Sequence, residues 1–250
     1  MSERTWMRKV RLAAGLTAAM ALFIGGCGGG GGSTGPNGDE TDLLYEEYFT
    51  EATDGSIPVG WEIITQEAAT EEGPEDWKVH QRRLRQASNI RAPSTPGLSY
   101  NLDYEGTMAV VGDTAWTNIS YRVEIWPQDD DAVGVIFRYS ESDTDPDGNF
   151  YRLIMIDDDA SGGPKLRLDL HQDGEWTILE EKTTTYGGYN KDNRYVVEIE
   201  MVVDDFTVKI DGTIVFEFTD DTLGKGRVGL FCYAQEGAEF DNIKVYRRGP

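Results

Sequence analysis

The 250-residue chain carries 23 Lys+Arg against 45 Asp+Glu, a formal charge of −22 at pH 7. That much negative charge excludes nucleic acid as an electrostatic partner, and with it direct docking on anionic lipid. The two cysteines exclude a disulfide-stapled scaffold, no CxxC or Cys/His cluster marks a zinc or haem site, and an apolar share of 39% leaves room for one sizeable core.

The first segment reads as a targeting signal. Arg4, Arg8, Lys9 and Arg11 are basic, and Leu12 to Ile24 is apolar but too short to span a bilayer as a helix. The segment ends in Ile24, Gly25, Gly26 and Cys27, which resembles the lipobox of bacterial lipoproteins. The resemblance implies a signal peptide over residues 1–26, cleavage before Cys27, and lipid on the Cys27 thiol and new amino group. The alternatives are a plain secretory signal with an incidental cysteine, or an uncleaved anchor. Gly28, rather than Asp, follows the cysteine, which by the same resemblance implies outer-membrane or cell-surface placement. Residues 27–41, containing GGGGGSTGPN, have almost nothing to bury and read as a flexible tether. One domain, 42–250, follows. From Cys27 onward the chain holds 19 Lys+Arg against 44 Asp+Glu, which reads as a solvated surface suited to high ionic strength.

Short alternating segments follow with turn signals between them. Strands are expected over Thr41 to Phe49, Gly60 to Ile64, Trp77 to Val79, Arg83 to Gln86 and Gly106 to Val111, with an irregular acidic stretch at 68–76 and a Pro-containing loop at 92–97. Ile119 to Trp126 (ISYRVEIW) alternates cleanly. Then come AVGVIFRYS, FYRLIMID and KLRLDLHQ, separated by Asp/Pro/Gly-rich turns: a three-stranded antiparallel meander. Trp176 to Glu180 and Arg194 to Val202 are further strands. Phe206 to Ile210 and Ile214 to Phe218 flank Asp211 and Gly212, a strong hairpin signal. Arg227 to Tyr233, which holds Cys232 on its apolar side, and Phe240 to Tyr246 close the domain. About a dozen short strands without a convincing helix give an all-β chain, a sandwich or barrel.

Several segments together carry a family resemblance: Pro58 to Trp61, Trp77 to Val79, GVIFRY at 134–139, NFYRL at 149–153, VKIDG at 208–212, GRVGL at 226–230 and FDNI at 240–243. Residues 43–247 resemble the concanavalin A-like lectin/glucanase superfamily, nearest to laminin G-like domains and the 3-keto-disaccharide hydrolase-like domain. The resemblance implies a jelly-roll β-sandwich of two curved antiparallel sheets, a glycan-binding concave face in many members, and a structural calcium tying the first and last strands. Glu47 and Asp241 are the ligands it suggests, although Tyr48 stands where an acid is common and Glu47 where Asp is.

In the meander, one register places Val133, Val135, Phe137, Tyr139, Phe150, Ile154, Ile156, Leu166, Leu168 and Leu170 on a core face, with Arg152 as the misfit. The opposite face then carries Arg138, Tyr151, Arg167, Asp169 and His171, planar donors, an acceptor and a ring suited to sugar hydroxyls and sugar faces. A slip of one residue would reverse a strand. Glu198 and Glu200 are two apart on one strand but lack the rest of a laminarinase-type Glu-x-Asp-x-x-Glu, so they read as a solvent-facing pair. Of Trp61, Trp77, Trp116, Trp126 and Trp176, one at most is expected to stack on a sugar. The expected function is non-catalytic binding of a glycan or another surface macromolecule by a lipid-anchored extracytoplasmic domain. The alternatives are a glycoside hydrolase of the 3-keto-disaccharide hydrolase type, or a structural or adhesive surface protein.

Overall fold

A computed structural model describes residues 42–157, 162–183 and 188–249. Cys27, the signal and the tether lie outside them. The described strands, in chain order, are β1 (Leu43–Glu47), β2 (Glu62–Thr65), β3 (Trp77–His80), β4 (Arg83–Gln86), β5 (Thr107–Val111), β6 (Ile119–Trp126), β7 (Ala132–Ser140) and β8 (Asn149–Ile156). The remainder are β9 (Lys165–Gln172), β10 (Glu175–Lys182), β11 (Tyr195–Val202), β12 (Asp205–Ile210), β13 (Thr213–Thr219), β14 (Arg227–Tyr233) and β15 (Glu239–Arg247). Every expected strand is present. Asp211 and Gly212 both take positive φ (49° and 77°), as a two-residue hairpin turn of the primed type requires.

Two antiparallel sheets form a jelly-roll β-sandwich. One has the order β13-β12-β11-β6-β15-β4-β3, with β1 pairing β15; the other runs β10-β9-β8-β7-β14-β5-β2 and contains the meander. Between them Val133, Val135, Phe137, Leu153, Leu166 and Leu168 meet Tyr121, Val123, Val197, Ile199 and Val245. Cys232 is buried here as a small apolar side chain.

The seven-stranded sheet is covered on its other face as well. Met108, Val110, Ile136, Phe150, Ile154, Phe231 and Tyr233 form a second apolar cluster, completed by Tyr104 and Tyr100 from the connection between β4 and β5. Burial on both faces explains the near-continuous apolar runs TMAVV, LIMI and VGLFCY, where a sheet with one wet face would alternate. The covering connection, a strap, is tied down by the Asn101 N–H donating to the Tyr233 hydroxyl (2.9 Å) and the Ala234 N–H donating to the Ile90 carbonyl (3.0 Å).

The structure corrects the expected faces of the meander. Cross-strand pairs share a face, and Phe137 pairs Tyr151 while Val135 pairs Leu153. Tyr151 therefore lies between the sheets, and Phe150, Arg152, Ile154 and Ile156 lie under the strap. The cause is a β-bulge. Phe137 pairs Tyr151 and Ser140 pairs Asn149, so β7 spends one residue more than β8 over the same span, and Arg138 takes up the excess at φ 52°. The bulge sends Tyr139 to the strap side. It turns Arg138 to the inter-sheet side, where its guanidinium packs 4.7 Å from the Phe206 ring centroid and donates to the carbonyls of Val203 and Leu223.

Candidate functional site

Only three of the five predicted ligand residues share a face: Arg167, Asp169 and His171. Arg138 and Tyr151 face the opposite way, and the Tyr151 hydroxyl donates to Asp220. The three that do share a face are sealed. Arg152 Nη2 lies 2.7 Å from Asp169 Oδ2, and both side chains are 0% exposed. Arg167 donates to the other Asp169 oxygen. Both guanidiniums also bond the strap: Arg152 donates to the carbonyls of Tyr104 (3.0 Å) and Asp103 (2.7 Å), and Arg167 to that of Leu102 (2.6 Å), while Arg167 Nη2 is buried without a hydrogen-bond partner. Arg152 also sits between aromatic rings, 4.0 Å from the Trp176 centroid and 4.5 Å from that of Phe231. The polar face expected to meet a ligand is thus the seat of the strap.

Unmet polar groups gather at the rim, where the strap runs into β5 and meets the loop between β7 and β8. Asp145, Pro146, Asp147 and Gly148 have the residues of a tight turn. Asp145 Oδ1 accepts the Asp147 N–H (3.0 Å), while Asp145 Oδ2 is buried without a hydrogen-bond partner. Asp147 in turn accepts the Glu67 N–H (2.9 Å), pinning the turn at 66–69 against the rim. Gln66, 1% exposed, uses its carbonyl oxygen on the Gly106 N–H (2.9 Å) and turns Nε2 toward Asp147, whose charged form it favours, short of full hydrogen-bond geometry. The Trp176 indole N–H faces Glu105 and favours its charged form, short of full hydrogen-bond geometry.

His171 completes the rim. Its Nδ1 donates to the Gly148 carbonyl (2.9 Å), since a carbonyl can only accept. Its Nε2 faces Asp145 Oδ2 across 3.6 Å, longer than a hydrogen bond. The ring is held between Trp176 and Phe150, at centroid distances of 4.4 and 5.0 Å. Burial pushes the Glu105 carboxyl above its usual range, and the charges of Asp103 and Asp147 add to it. Burial also raises Asp147; the Asp145 charge adds to this, while the Glu67 N–H, His171 and Gln66 oppose it. The rim can offer carboxylate acceptors, an amide and an indole, and two of its carboxyls hold their protons more tightly than ordinary ones. Sequence reading missed Gln66, Glu105, Asp145 and Asp147 because they lie in turns, where the only signal was turn chemistry.

The other expected sites fall as follows. The pairing of β1 with β15 sets Glu47 opposite Ile243, two residues from Asp241, near enough for its charge to act there. Burial raises Asp241 and the Glu124 and Glu47 charges add to it, while the Asn242 N–H and the nearby Arg83 guanidinium oppose it. Glu47 Oε1 accepts the Phe49 N–H (2.6 Å) and Asp241 Oδ1 the Asn242 N–H (2.7 Å), so the pair offers part of the six to eight oxygens that calcium takes. Among the described residues, the group of acids compact enough to share one ion is instead Asp129, Asp130 and Asp131, and Lys191 already lies 3.6 and 3.5 Å from the first two. Glu198 and Glu200 are bridged by Lys209 Nζ (3.1 and 3.0 Å). Trp61 and Trp77 are core, Trp116 packs on Tyr45, and Trp126 carries the Arg83 guanidinium 3.8 Å from its ring. A cleft of about 840 Å³ lies elsewhere, between Asp42, Trp116, Asn118 and Arg248.

The family model described as the 3-keto-alpha-glucoside-1,2-lyase-like domain matches residues 49–246. The chain belongs to this family. Its fold is shared by solved structures of low identity. A carbohydrate-binding module (CBM66) from Bacillus subtilis is 15% identical with a TM-score of 0.54, over 75% of this chain and 95% of that one. A protein of unknown function with a galectin-like fold, also from Bacillus subtilis, is 13% identical with a TM-score of 0.60, over 84% and 97%. A non-specific endo-β-1,3(4)-glucanase of family GH16 is 12% identical with a TM-score of 0.52, over 83% and 91%. This family member therefore has the concanavalin A-like sandwich, as expected. No curated protein is significantly similar to it in sequence.

Proposed function

We propose that this chain is a non-catalytic glycan-recognition domain, held outside the cytoplasm by lipid on Cys27, and that its sugar site is the rim formed by Gln66, Glu105, Asp145, Asp147 and Trp176. The observation that carries the reading is the gathering on a single rim of three buried polar atoms whose contacts fall short of full hydrogen-bond geometry: Gln66 Nε2 toward Asp147, Trp176 Nε1 toward Glu105, and Asp145 Oδ2 at 3.6 Å from His171 Nε2. Buried polar groups are normally satisfied, and sugar hydroxyls, each donor and acceptor, complement such a mixed set. Membership of a glycoside-directed family supports it. A glycan array with the full chain should give binding that Trp176→Ala abolishes and Trp126→Ala leaves intact. Binding unaffected by Trp176→Ala, or no glycan bound at all, would overturn it. Cys27→Ser should move the protein from the membrane to the soluble fraction of the expressing cells; continued membrane retention would sink the lipid anchor.

A second reading is favoured by the raised Glu105 and Asp147 carboxyls and by the family's name: elimination from a 3-keto-glucoside. One carboxylate would take the proton at C2, acidified by the neighbouring ketone. The C1–O1 bond would break as C1=C2 forms, and the other carboxyl would protonate the departing oxygen. Release of the aglycone from a 3-keto-glucoside, lost in Glu105→Gln, distinguishes this reading; no release above background excludes it.

A further inference from the structure

The cleft of about 840 Å³ lies at the other end of β5 from the rim. The rim meets β5 at its start, where the Gly106 N–H donates to Gln66. Gly112, just past the end of β5, backs Trp116, which lines the cleft. The five residues of β5 between them span roughly 16 Å, so the two are separate places on the molecule. The cleft volume falls in the range of small-molecule sites, about 300–1,000 Å³.

Trp116 is half-buried, packed against the core on one side, and its place is fixed by backbone. A Cβ on Gly112 would lie 2.1 Å from Trp116 Cζ3, so the indole rests on the bare glycine. Tyr45 packs on the ring at a centroid distance of 6.4 Å. Asp113 Oδ1 accepts the Ala115 N–H (2.8 Å), the Trp116 carbonyl accepts the Gly226 N–H (3.0 Å), and Asn118 Oδ1 accepts the Val203 N–H (2.8 Å). The opposite wall is tied by the Arg247 N–H donating to the Asp42 carbonyl (2.8 Å) and the Arg248 N–H to the Asn118 carbonyl (2.9 Å). A platform held in this way loses little freedom when it binds.

Two guanidiniums and two carboxylates surround the platform. Arg248 is anchored from outside the cleft by Glu200, 3.2 Å from Nη2, and its Nε is buried without a partner. Arg247 Nε lies 3.6 Å from Asp42, longer than a hydrogen bond, and both side chains are mostly exposed. Such a pair contributes little to stability, so a ligand can bridge or part it at small cost. Asn118, with Oδ1 committed to Val203, keeps its amide nitrogen as a donor. Arg247 and Arg248 against Asp42 and Asp113 leave the cleft without net charge in a chain of −22. An anionic ligand would meet the two acids and the field of the whole chain, and a cationic one the two arginines. A hexopyranose is neutral, lays an apolar C–H face on an indole, and has hydroxyls that donate to carboxylates and accept from guanidiniums.

We infer that the cleft is a second carbohydrate site, independent of the rim, for a neutral hexopyranose oligosaccharide stacked on Trp116 with its hydroxyls on Asp113, Asn118 and Arg248. With Asp42, Asp113 and Arg247 exposed at its edge the cleft stays open to water, and it binds on the order of 1 mM. A washed glycan array therefore reads the rim and not the cleft.

The test is NMR of the full chain with nitrogen-15 in its indole groups, the signals of Trp116 and Trp176 being identified by Trp116→Phe and Trp176→Phe. The ligands, raised to about 10 mM, are pentasaccharides of glucose, galactose and mannose, with galacturonate and glucosamine pentamers as charged probes. At least one neutral pentamer should move the Trp116 signal saturably, and should still do so in Trp176→Ala. The charged pentamers should bind about fivefold more weakly. Arg248→Met should weaken the neutral pentamer about fivefold, while Arg122→Met, on the same sheet outside the cleft, should leave it unchanged. Unmoved signals of the core residues Trp61 and Trp77 show that each variant is folded. A Trp116 signal that no neutral pentamer moves overturns the cleft site, and movement of Trp176 alone does so while leaving the rim standing. Movement of Trp116 alone supports the cleft and counts against the rim. Charged pentamers that bind as tightly as neutral ones, or binding untouched by Arg248→Met, also overturn the proposal.

Discussion

Arg152 on β8 and Asp169 on β9 are directly paired across neighbouring strands, and their side chains close an ion pair of 2.7 Å with both 0% exposed. Two guanidiniums share this one carboxylate, and the positive charge left over is spread onto the carbonyls of Leu102, Asp103 and Tyr104. The pair therefore links the meander to the strap above it.

Removing one partner of such a pair leaves an uncompensated buried charge. Asp169→Ala should lower the unfolding free energy by about 3–5 kcal/mol, measured by chemical denaturation. Replacing the whole charge group with apolar residues, Arg152→Met and Arg167→Met with Asp169→Leu, should cost less than the single change. An Asp169→Ala variant as stable as the parent would show that the pair is not closed in solution.

Gly134 on β7 has no room for a methyl group. A Cβ there would lie 1.8 Å from the Leu153 carbonyl oxygen, which is backbone of the neighbouring strand. Gly134→Ala should destabilise by about 2–4 kcal/mol, as overpacking of a well-filled interior does at its upper end. Gly174 has φ 83° but nothing within 4 Å of an added Cβ. Gly174→Ala should then cost only the backbone strain, about 1 kcal/mol. Similar denaturation midpoints for the two variants would contradict the pairing of β7 with β8.

Glu105 and Asp147 are held above the ordinary carboxyl range, first by burial and then by neighbouring acids. A raised carboxyl means that the folded chain binds its proton more tightly than the unfolded chain. The penalty is present at neutral pH and is relieved as pH falls through the raised values, down to the unfolded range of about 4. Glu105→Gln should therefore raise the midpoint at pH 7 and flatten the gain seen on acidification to pH 5. If the variant and parent keep the same slope between those pH values, the carboxyl is not strained.

Calcium proposed between Glu47 and Asp241 would relieve the acid repulsion there and tie β1 to β15. Added calcium should raise the melting temperature of the full chain, chelation should lower it, and Asp241→Asn should lose the response. A melting temperature unchanged on chelation would argue against a structural ion.

The sequence was legible wherever period and turn chemistry act locally. Each strand from β1 to β15 shows as a short apolar or alternating run, and Asp211 with Gly212 shows as a hairpin. The face of β8 was not legible. FYRLIMID alternates weakly, because both faces of its sheet are buried, so periodicity could not say which side holds Arg152. The single extra residue at Arg138 then decided the register. The rim was less legible still. Gln66, Glu105, Asp145 and Trp176 come from four separate segments and carry no shared motif.

By itself, then, the sequence determined the all-β sandwich, its strand list, its acidity and the resemblance that family membership confirmed, because these follow from composition, local periodicity and turn residues. Only the tertiary structure decided that the polar face of the meander is roofed by the strap and that Gln66, Glu105, Asp145 and Trp176 meet at its edge. Both depend on a bulge and on a connection folding back over the sheet, long-range packing that leaves no local pattern to read.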